Sequence, residues 1–155
     1  MEGFNISRIE KIPGCTLISA SGIRGTAQTA YRLFSLFSKS DIKIVFVLQS
    51  TNIEDDSADL GIVIKSDDTE KAKMLCDEIF FDGRTVIRED VSVLSVSGAG
   101  LYHNGAVTAK IFELFYERGI DIHLISTGEI KIYAAVDSDR IDEAREALLH
   151  GLDEI

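Results

Sequence analysis

Tryptophan is absent from this 155-residue chain, proline occurs once, at Pro13, and cysteine only twice, at Cys15 and Cys76. So little proline excludes a Pro-rich linker, and 45% hydrophobic residues supply a packed core where a disordered chain would have too few. Two cysteines this far apart exclude a disulfide framework and a zinc knuckle, and they suit a reducing, cytoplasmic compartment. Long apolar runs are missing as well. The longest, residues 44–48 and 132–136, have five residues each, against the ~20 needed to cross a bilayer. Met1-Glu2-Gly3 opens without the basic and apolar regions of a secretory signal. Positive charge is scarce: 16 Lys+Arg stand against 26 Asp+Glu, a net charge of −10, and residues 50–90 alone hold 5 basic and 12 acidic side chains. Such a balance repels phosphate backbones and anionic lipid, so neither nucleic acid nor membrane is expected as a partner. His103 and His123 have no metal-ligand spacing, and no metal or other cofactor is expected.

What the chain does contain is an internal repeat. Leu33-Phe34-Ser35-Leu36-Phe37 followed by Ser40-Asp41-Ile42 matches Ile111-Phe112-Glu113-Leu114-Phe115 followed by Arg118-Gly119-Ile120 at a shift of 78 residues. Ser21-Gly22 matches Ser97-Gly98 at a shift of 76, and Ala72, Leu75, Cys76 match Ala144, Ala147, Leu148 at a shift of 72. The first copy therefore carries six extra residues, most simply within 49–59.

Each copy reads strand, helix, strand, strand, helix. Residues 16–21 and 91–97 are β-branched-rich and end at glycine, as half-buried strands do. Ala27, Ala30, Tyr31, Phe34 and Phe37 share one helical face, as do Ala109, Phe112, Phe115 and Tyr116, and both sets are expected in the core. Hairpins follow, 42–48 with 58–65 and 121–126 with 129–137; Asp67 with Glu70 has the pattern of a capping box opening the next helix. A fourth strand is present after the first copy, at 84–89, and absent after the second. Residues 4–12, with alternating Phe4 and Ile6 followed by Ile9 and Ile12, belong to neither copy. Because a bare sheet edge needs covering, they are expected to cross over and complete the second module. The expected fold is α+β: two ferredoxin-like βαββαβ modules, the first (13–90) inserted in the second (4–12 plus 91–155).

With these residues in view, the segment 91–100, Ala109-Lys110-Ile111-Phe112 and Leu124-Ile125-Ser126-Thr127-Gly128-Glu129-Ile130-Lys131-Ile132 resemble the second of the tandem ACT modules in the regulatory portion of aspartate kinases. Gly22, Arg32-Leu33-Phe34 and Val47-Leu48-Gln49 are similar to the first module of that pair. The resemblance implies modules that pair side by side as a homodimer, bind a feedback amino acid, typically lysine or threonine, and inhibit a kinase domain, either covalently attached or a partner subunit. No Gly-rich phosphate loop or cluster of magnesium-binding carboxylates is present, so the chain alone is not expected to transfer phosphate. A stand-alone ACT-type sensor of another enzyme is the alternative. RNA-recognition modules share the architecture but need basic charge and sheet aromatics that this chain lacks.

The family's effector site carries over to two sets of residues. In the first module Arg24, Gly25, Thr26, Ala27 and Gln28 enter a helix whose free N–H groups favour a carboxylate, and Gln49 and Ser50 offer acceptors for an ammonium. In the second, Asn104, Gly105 and Ala106 face Ser126, Thr127 and Glu129, with His123 added to the set. Relatives often place an acidic residue where Val45 and His123 stand, and Pro-Gly-Val where Ala27-Gln28-Thr29 and Gly105-Ala106-Val107 stand. Without the carboxylate, Gln49 and Thr127 suit threonine or another neutral amino acid at least as well as lysine.

Overall fold

The computed structural model describes residues 6–80, 84–99, 101 and 105–153, apart from the side chains of Thr26 and Asp153. In chain order the elements are β1 (Ile6–Ile23), α1 (Thr26–Lys39), β2 (Ile44–Thr51), β3 (Ala58–Lys65), α2 (Thr69–Ile79), β4 (Arg84–Gly98), α3 (Gly105–Glu117), β5 (Leu124–Thr127), β6 (Lys131–Asp137) and α4 (Ile141–Asp153). Single 3-10 turns, Ser66–Asp68 and Ser138–Arg140, lead into α2 and α4.

The chain divides into two compact units: Gly14–Glu89, and residues up to Pro13 together with Asp90–Ile155. Strand order is β2-β3-β1-β4 in the first unit and β1-β4-β6-β5 in the second. Either way, a strand precedes a helix, a hairpin and a second helix, and the order is ferredoxin-like. The α+β class expected from the repeat is the one that forms. The segment read as a crossing strand lies in the second unit. Ile9 is buried in that unit's core, Ser7 Oγ donates to the carbonyl of Ser97 at 3.2 Å and Arg145 Nε to that of Ile9 at 3.3 Å. Segments read as separate strands join: 6–12 with 16–21 in β1, and 84–89 with 91–97 in β4, while Phe4 and Asn5 lie outside the described residues. Gly14 and Asp90, both at positive φ, stand where β1 and β4 pass from one unit to the next.

Each unit has its own core. In the first, Ile18, Ile62 and Ile64 of the sheet meet Leu33 and Phe37 of α1 and Ala72 and Cys76 of α2. In the second, Leu94, Ile132 and Val136 meet Ile111 and Phe115 of α3 and Ala144 and Leu148 of α4. Fully burying a side chain such as Phe37 or Phe115 contributes ~1.5–3 kcal/mol.

The aromatic stripes are not core throughout. Leu33 and Phe37 are buried, whereas Tyr31 is 74% exposed; Ile111, Leu114 and Phe115 are buried, whereas Phe112 and Tyr116 are 46% and 85% exposed. Val107, Ile111 and Leu114, with Phe115, set the buried face at helical period; Phe112 and Tyr116 are rotated off it. The capping box fails too, since α2 starts at Thr69 behind the 3-10 turn and Asp68 makes no side-chain cap. Thr69 Oγ1 instead donates to the carbonyl of Ser66 at 2.8 Å and shares a 2.7 Å hydrogen bond with Thr16. In the second unit Ile141 stands in place of Thr69, and the hydroxyls of Ser92 and Ser138, the equivalents of Thr16 and Ser66, are 2.8 Å apart.

α1 and α3 end in the same Schellman motif. Asp41 N and Ile42 N donate to Ser38 and Phe37 carbonyls at 3.2 and 2.9 Å; Gly119 N and Ile120 N donate to Tyr116 and Phe115 at 3.1 and 2.9 Å. The buried Ile42 and Ile120 supply the accompanying hydrophobic contact.

Candidate functional site

In the first unit register brings the expected residues to one end of the sheet. Thr51 pairs with Ala58 and Ala58 with Ile23, so the end of β2, the start of β3 and the end of β1 lie in a row. Arg24 and Gly25 continue directly from that row into α1. Gly25 is the residue before the helix and is left-handed, φ 61° and ψ 48°, a conformation without penalty only for glycine. Its carbonyl accepts the first helical hydrogen bond from Thr29 N at 3.0 Å, which leaves the N–H groups of the first turn without a helical acceptor. Gly25 has no side chain to cap them, and the first turn contains no acidic residue. Thr26 opens the helix, and Ala27 and Gln28 are exposed on its first turn.

Gln49 and Ser50 lie near the end of β2 in that row, where they pair with Leu60 and Asp59, point to opposite faces of the sheet and remain exposed. β2 thus extends three residues beyond the end expected at Leu48 and holds both side chains on regular strand backbone. Asp59 Oδ1 accepts from Gly22 N at 3.2 Å, and Arg24 Nη1 donates to the carbonyl of Asp55 at 3.3 Å. The first bond joins the end of β1 to the start of β3, and the second ties the β1–α1 segment to the β2–β3 connection. Asp55, Ser57 and Asp59 are site neighbours that motif reading missed; the six-residue excess of the first copy was the available signal. Hydrogen bonds from the Ser57 hydroxyl and N–H hold the Asp55 carboxyl below its ordinary value, and Arg24 adds to the effect.

The second unit shows a tighter version. Gly98 N donates to the carbonyl of Ile130 at 3.0 Å and Leu101 N to that of Glu129 at 2.9 Å, so the segment leading towards α3 runs across the β5–β6 turn. Gly105 and Ala106 begin α3 and are exposed; Asn104 lies outside the described residues. Ser126 and Thr127 end β5 opposite Tyr133 and Ile132, and Glu129 is exposed in the turn. Lys131 does not pair with Glu129 but lies over the Tyr133 ring, 5.7 Å from its centre. His123 is not brought to this set. It precedes β5, about 13 Å along the strand from Thr127, and its Nε2 is 2.9 Å from Asp137 Oδ1. The position before β5 faces the end of β6, which is why His123 meets Asp137.

Two surface grooves lie elsewhere, one along α1 lined by Tyr31, Phe34 and Lys39, the other along α3 lined by Phe112, Tyr116 and Ile122. Phe34 and Phe112 are repeat equivalents. Among the described residues no group of three His, Cys, Asp or Glu side chains could hold a metal ion, and no helix is long and apolar enough to cross a membrane.

Residues 94–151 match the sequence profile of the ACT domain. Over 136 residues, 84% of the chain, the sequence is 31% identical to an aspartokinase of Mycolicibacterium smegmatis, and over 135 residues it is 29% identical to that of Corynebacterium glutamicum. Each alignment covers 32% of the relative, so the chain spans about a third of the length of these proteins. The fold is similar to the ligand-free regulatory subunit of aspartate kinase from Thermus thermophilus, with a TM-score of 0.83, 19% identity, and coverage of 95% of this chain and 98% of that one. It is similar as well to part of aspartate kinase from Synechocystis, with a TM-score of 0.86 and 19% identity over 99% of this chain and 28% of that one. Residues 94–151 therefore match the ACT domain, and over most of its length the chain is similar in sequence to about a third of these aspartokinases and in fold to a regulatory subunit of aspartate kinase.

Proposed function

We propose that the chain is the amino-acid-binding regulatory region of an aspartate kinase, giving feedback control over a kinase domain that is joined to it or associates with it. Phosphate transfer to the aspartate side-chain carboxylate belongs to that domain. One observation carries the reading: Arg24, Gly25, Ala27 and Gln28 at the start of α1 stand at the same sheet end as Gln49 and Ser50. A free amino acid needs donors for its carboxylate and acceptors for its ammonium, and leaving either unsatisfied on burial is costly. The α1 entry supplies the donors, and the Gln49 side chain with the β2 end supplies the acceptors. The resemblance implies an acidic residue where Val45 stands, and its absence here favours threonine or a similar neutral amino acid. Asn104, Gly105, Ala106, Ser126, Thr127 and Glu129 form the equivalent second-unit candidate, without His123.

A homodimer through the first units fits the same reading. β2 is the edge strand of its unit, and Tyr31 is exposed along α1 beside it in sequence. A second reading, a separately encoded regulatory subunit, is supported by the similarity in fold to a regulatory subunit of aspartate kinase of nearly the same extent.

Calorimetry against a panel of amino acids tests the function. Threonine or another neutral amino acid should bind more tightly than lysine, Gln49→Ala should weaken binding by ~1–3 kcal/mol, and the melting temperature should rise with ligand concentration. With ATP, magnesium and aspartate the chain should form no acyl phosphate. Tighter binding of lysine overturns the specificity; no binding of any amino acid overturns the effector reading.

A further inference from the structure

The edge strand β2 has opposite charges beyond its two ends. Residues 44–51 contain no charged side chain, whereas residues 84–89, the outer strand at the other side of this unit, carry Arg84, Arg88 and Glu89. A sheet edge without charge is open to pairing with another strand. Before β2 stand Lys39, in the last turn of α1, and Lys43; after it stand Glu54, Asp55 and Asp56, and all five are exposed. Among the described residues the Lys39 and Lys43 ammonium groups and the Glu54 and Asp56 carboxylates have no ion-pair partner. The eight residues of β2 hold the two groups of charges ~25 Å apart within one chain.

The acidic end is a closed and stiff turn. Asn52 N donates to the carbonyl of Ser57 at 2.6 Å and Asp56 N to that of Asn52 at 3.0 Å. Asn52 Oδ1 accepts from Glu54 N at 3.0 Å, and Asp55 Oδ1 accepts from both the N–H and the hydroxyl of Ser57, at 3.0 and 2.6 Å. Polar groups thus brace the turn from inside, and its single apolar side chain is left outside: Ile53 is 94% exposed, more than any other large apolar residue among those described. A turn already braced gives up little conformational freedom on docking. The basic end has a groove to receive it. α1 starts beside the end of β2 and returns to its start, so the groove lined by Tyr31, Phe34 and Lys39 occupies the part of α1 nearer Ile44. The groove along α3 does not suit an acidic turn, because Asp121, which lines it, is the repeat equivalent of Lys43.

Resting on the homodimer reading of the first units, we infer that the 52–57 turn of each copy docks on the α1 groove of the other, Ile53 against Tyr31 and Phe34, and Glu54 and Asp56 beside Lys39 and Lys43. A two-fold axis through the middle of β2 sets the two strands antiparallel and brings the Thr51 end of one copy to the Ile44 end of the other. Opposite charges then meet at both ends, whereas parallel strands would set like charges together. The occupant of the groove is a second copy of this chain.

Analytical ultracentrifugation of the full chain and of Ile53→Asp, Glu54→Lys and the double variant Lys39→Glu with Lys43→Glu tests this, with circular dichroism of each. Every variant alone should weaken the dimer ~10-fold or more with an unchanged spectrum, and added salt should weaken the unaltered dimer. A mixture of Glu54→Lys with the double lysine variant should form a heterodimer ~10-fold tighter than either variant alone, because each turn then meets a groove of opposite charge. Misfolding of a variant cannot produce that recovery. If the unaltered chain dimerises and the mixture is no tighter than its components, the inference is overturned and the homodimer reading stands. Indifference of the dimer to all three variants has the same meaning and assigns the turn to a different partner. If the unaltered chain is a monomer at tens of micromolar, the homodimer reading falls and this inference falls with it.

Discussion

Arg140 donates through Nη2 to the carbonyl of Arg118 at 2.7 Å, and through Nη1 to that of Gly119 at 3.2 Å, so one guanidinium closes the C-terminal end of α3. The repeat equivalent of Arg118 is Ser40, whose carbonyl accepts from Lys71 Nζ at 2.6 Å. The cation, however, comes from a different place. Arg140 corresponds to Asp68, and Lys71 to Glu143; the ion pair at these positions is reversed between the units, 2.9 Å for Arg140–Glu143 and 3.6 Å for Lys71–Asp68. What has been kept is a positive charge on the last carbonyls of the unit's first helix, where the helix dipole favours it.

Arg140→Ala should therefore destabilise the chain by ~1 kcal/mol, the order expected for a partly exposed charge at a helix end. Arg140→Lys should recover only part, because an ammonium lacks the planar fork that reaches two carbonyls. Urea unfolding of the three proteins measures this, and equal stability of Lys and Arg at this position would contradict the role of the fork.

Asp41 occupies, at φ 54°, the left-handed position that Gly119 occupies at φ 63°. Glycine adopts this conformation freely and aspartate does not, so Asp41→Gly should stabilise the first unit by ~0.5–1 kcal/mol. Gly119→Asp should cost a similar amount. Thermal melts of both variants give the comparison.

Ser95 is 2% exposed, and its hydroxyl has no hydrogen-bond partner among the described residues. Ser95→Ala should leave stability unchanged or raise it by up to ~1 kcal/mol, because a desolvated, unpaired hydroxyl is removed. Ser92→Ala, three residues earlier, should instead cost ~1 kcal/mol by leaving the Ser138 hydroxyl unpaired. The opposite signs, read from denaturant midpoints, are the check.

Burial pushes the Cys76 thiol up to about 12 from its ordinary 9.0, with the Asp77 carboxylate acting in the same direction. Cys15 is raised by burial too, and Lys65 partly offsets it. A thiol whose pKa is raised by folding favours the folded state fully below its ordinary value, and that contribution is lost as pH rises from about 9 to about 12. At pH 8 both thiols should react with a disulfide reagent ~100-fold more slowly in the native chain than in urea. Cys76→Ala should remove part of the alkaline loss of stability.

The 78-residue shift, the strand–helix–hairpin–helix order and the missing fourth strand of the second copy are all legible in the residues, because side-chain periodicity and turn chemistry are local properties. The same is true of the α1 entry and Gln49, whose residue types suit an amino-acid ligand wherever the chain places them. Which stripe of α1 and α3 turns inward was not legible. Tyr31, Phe112 and Tyr116 have a core-like spacing, yet the sheet surface takes the neighbouring aliphatic positions. The capping box of Asp67 and Glu70 did not form because residues 66–68 wind into a 3-10 turn and α2 opens at Thr69, whose hydroxyl meets that of Thr16 from more than fifty residues earlier. His123 was grouped with Thr127 because relatives often carry an acidic residue at its position, but the length of β5 separates the two, and its partner Asp137 comes from the neighbouring strand. The bracing of Arg24 by residues 52–57 likewise depends on pairings such as Ile23 with Ala58. Sequence by itself determined the elements, their order and the chemical types at the candidate site. Tertiary structure decided which side chains meet, because strand register and helix rotation minimise the free energy of the whole unit and are not encoded in any single segment.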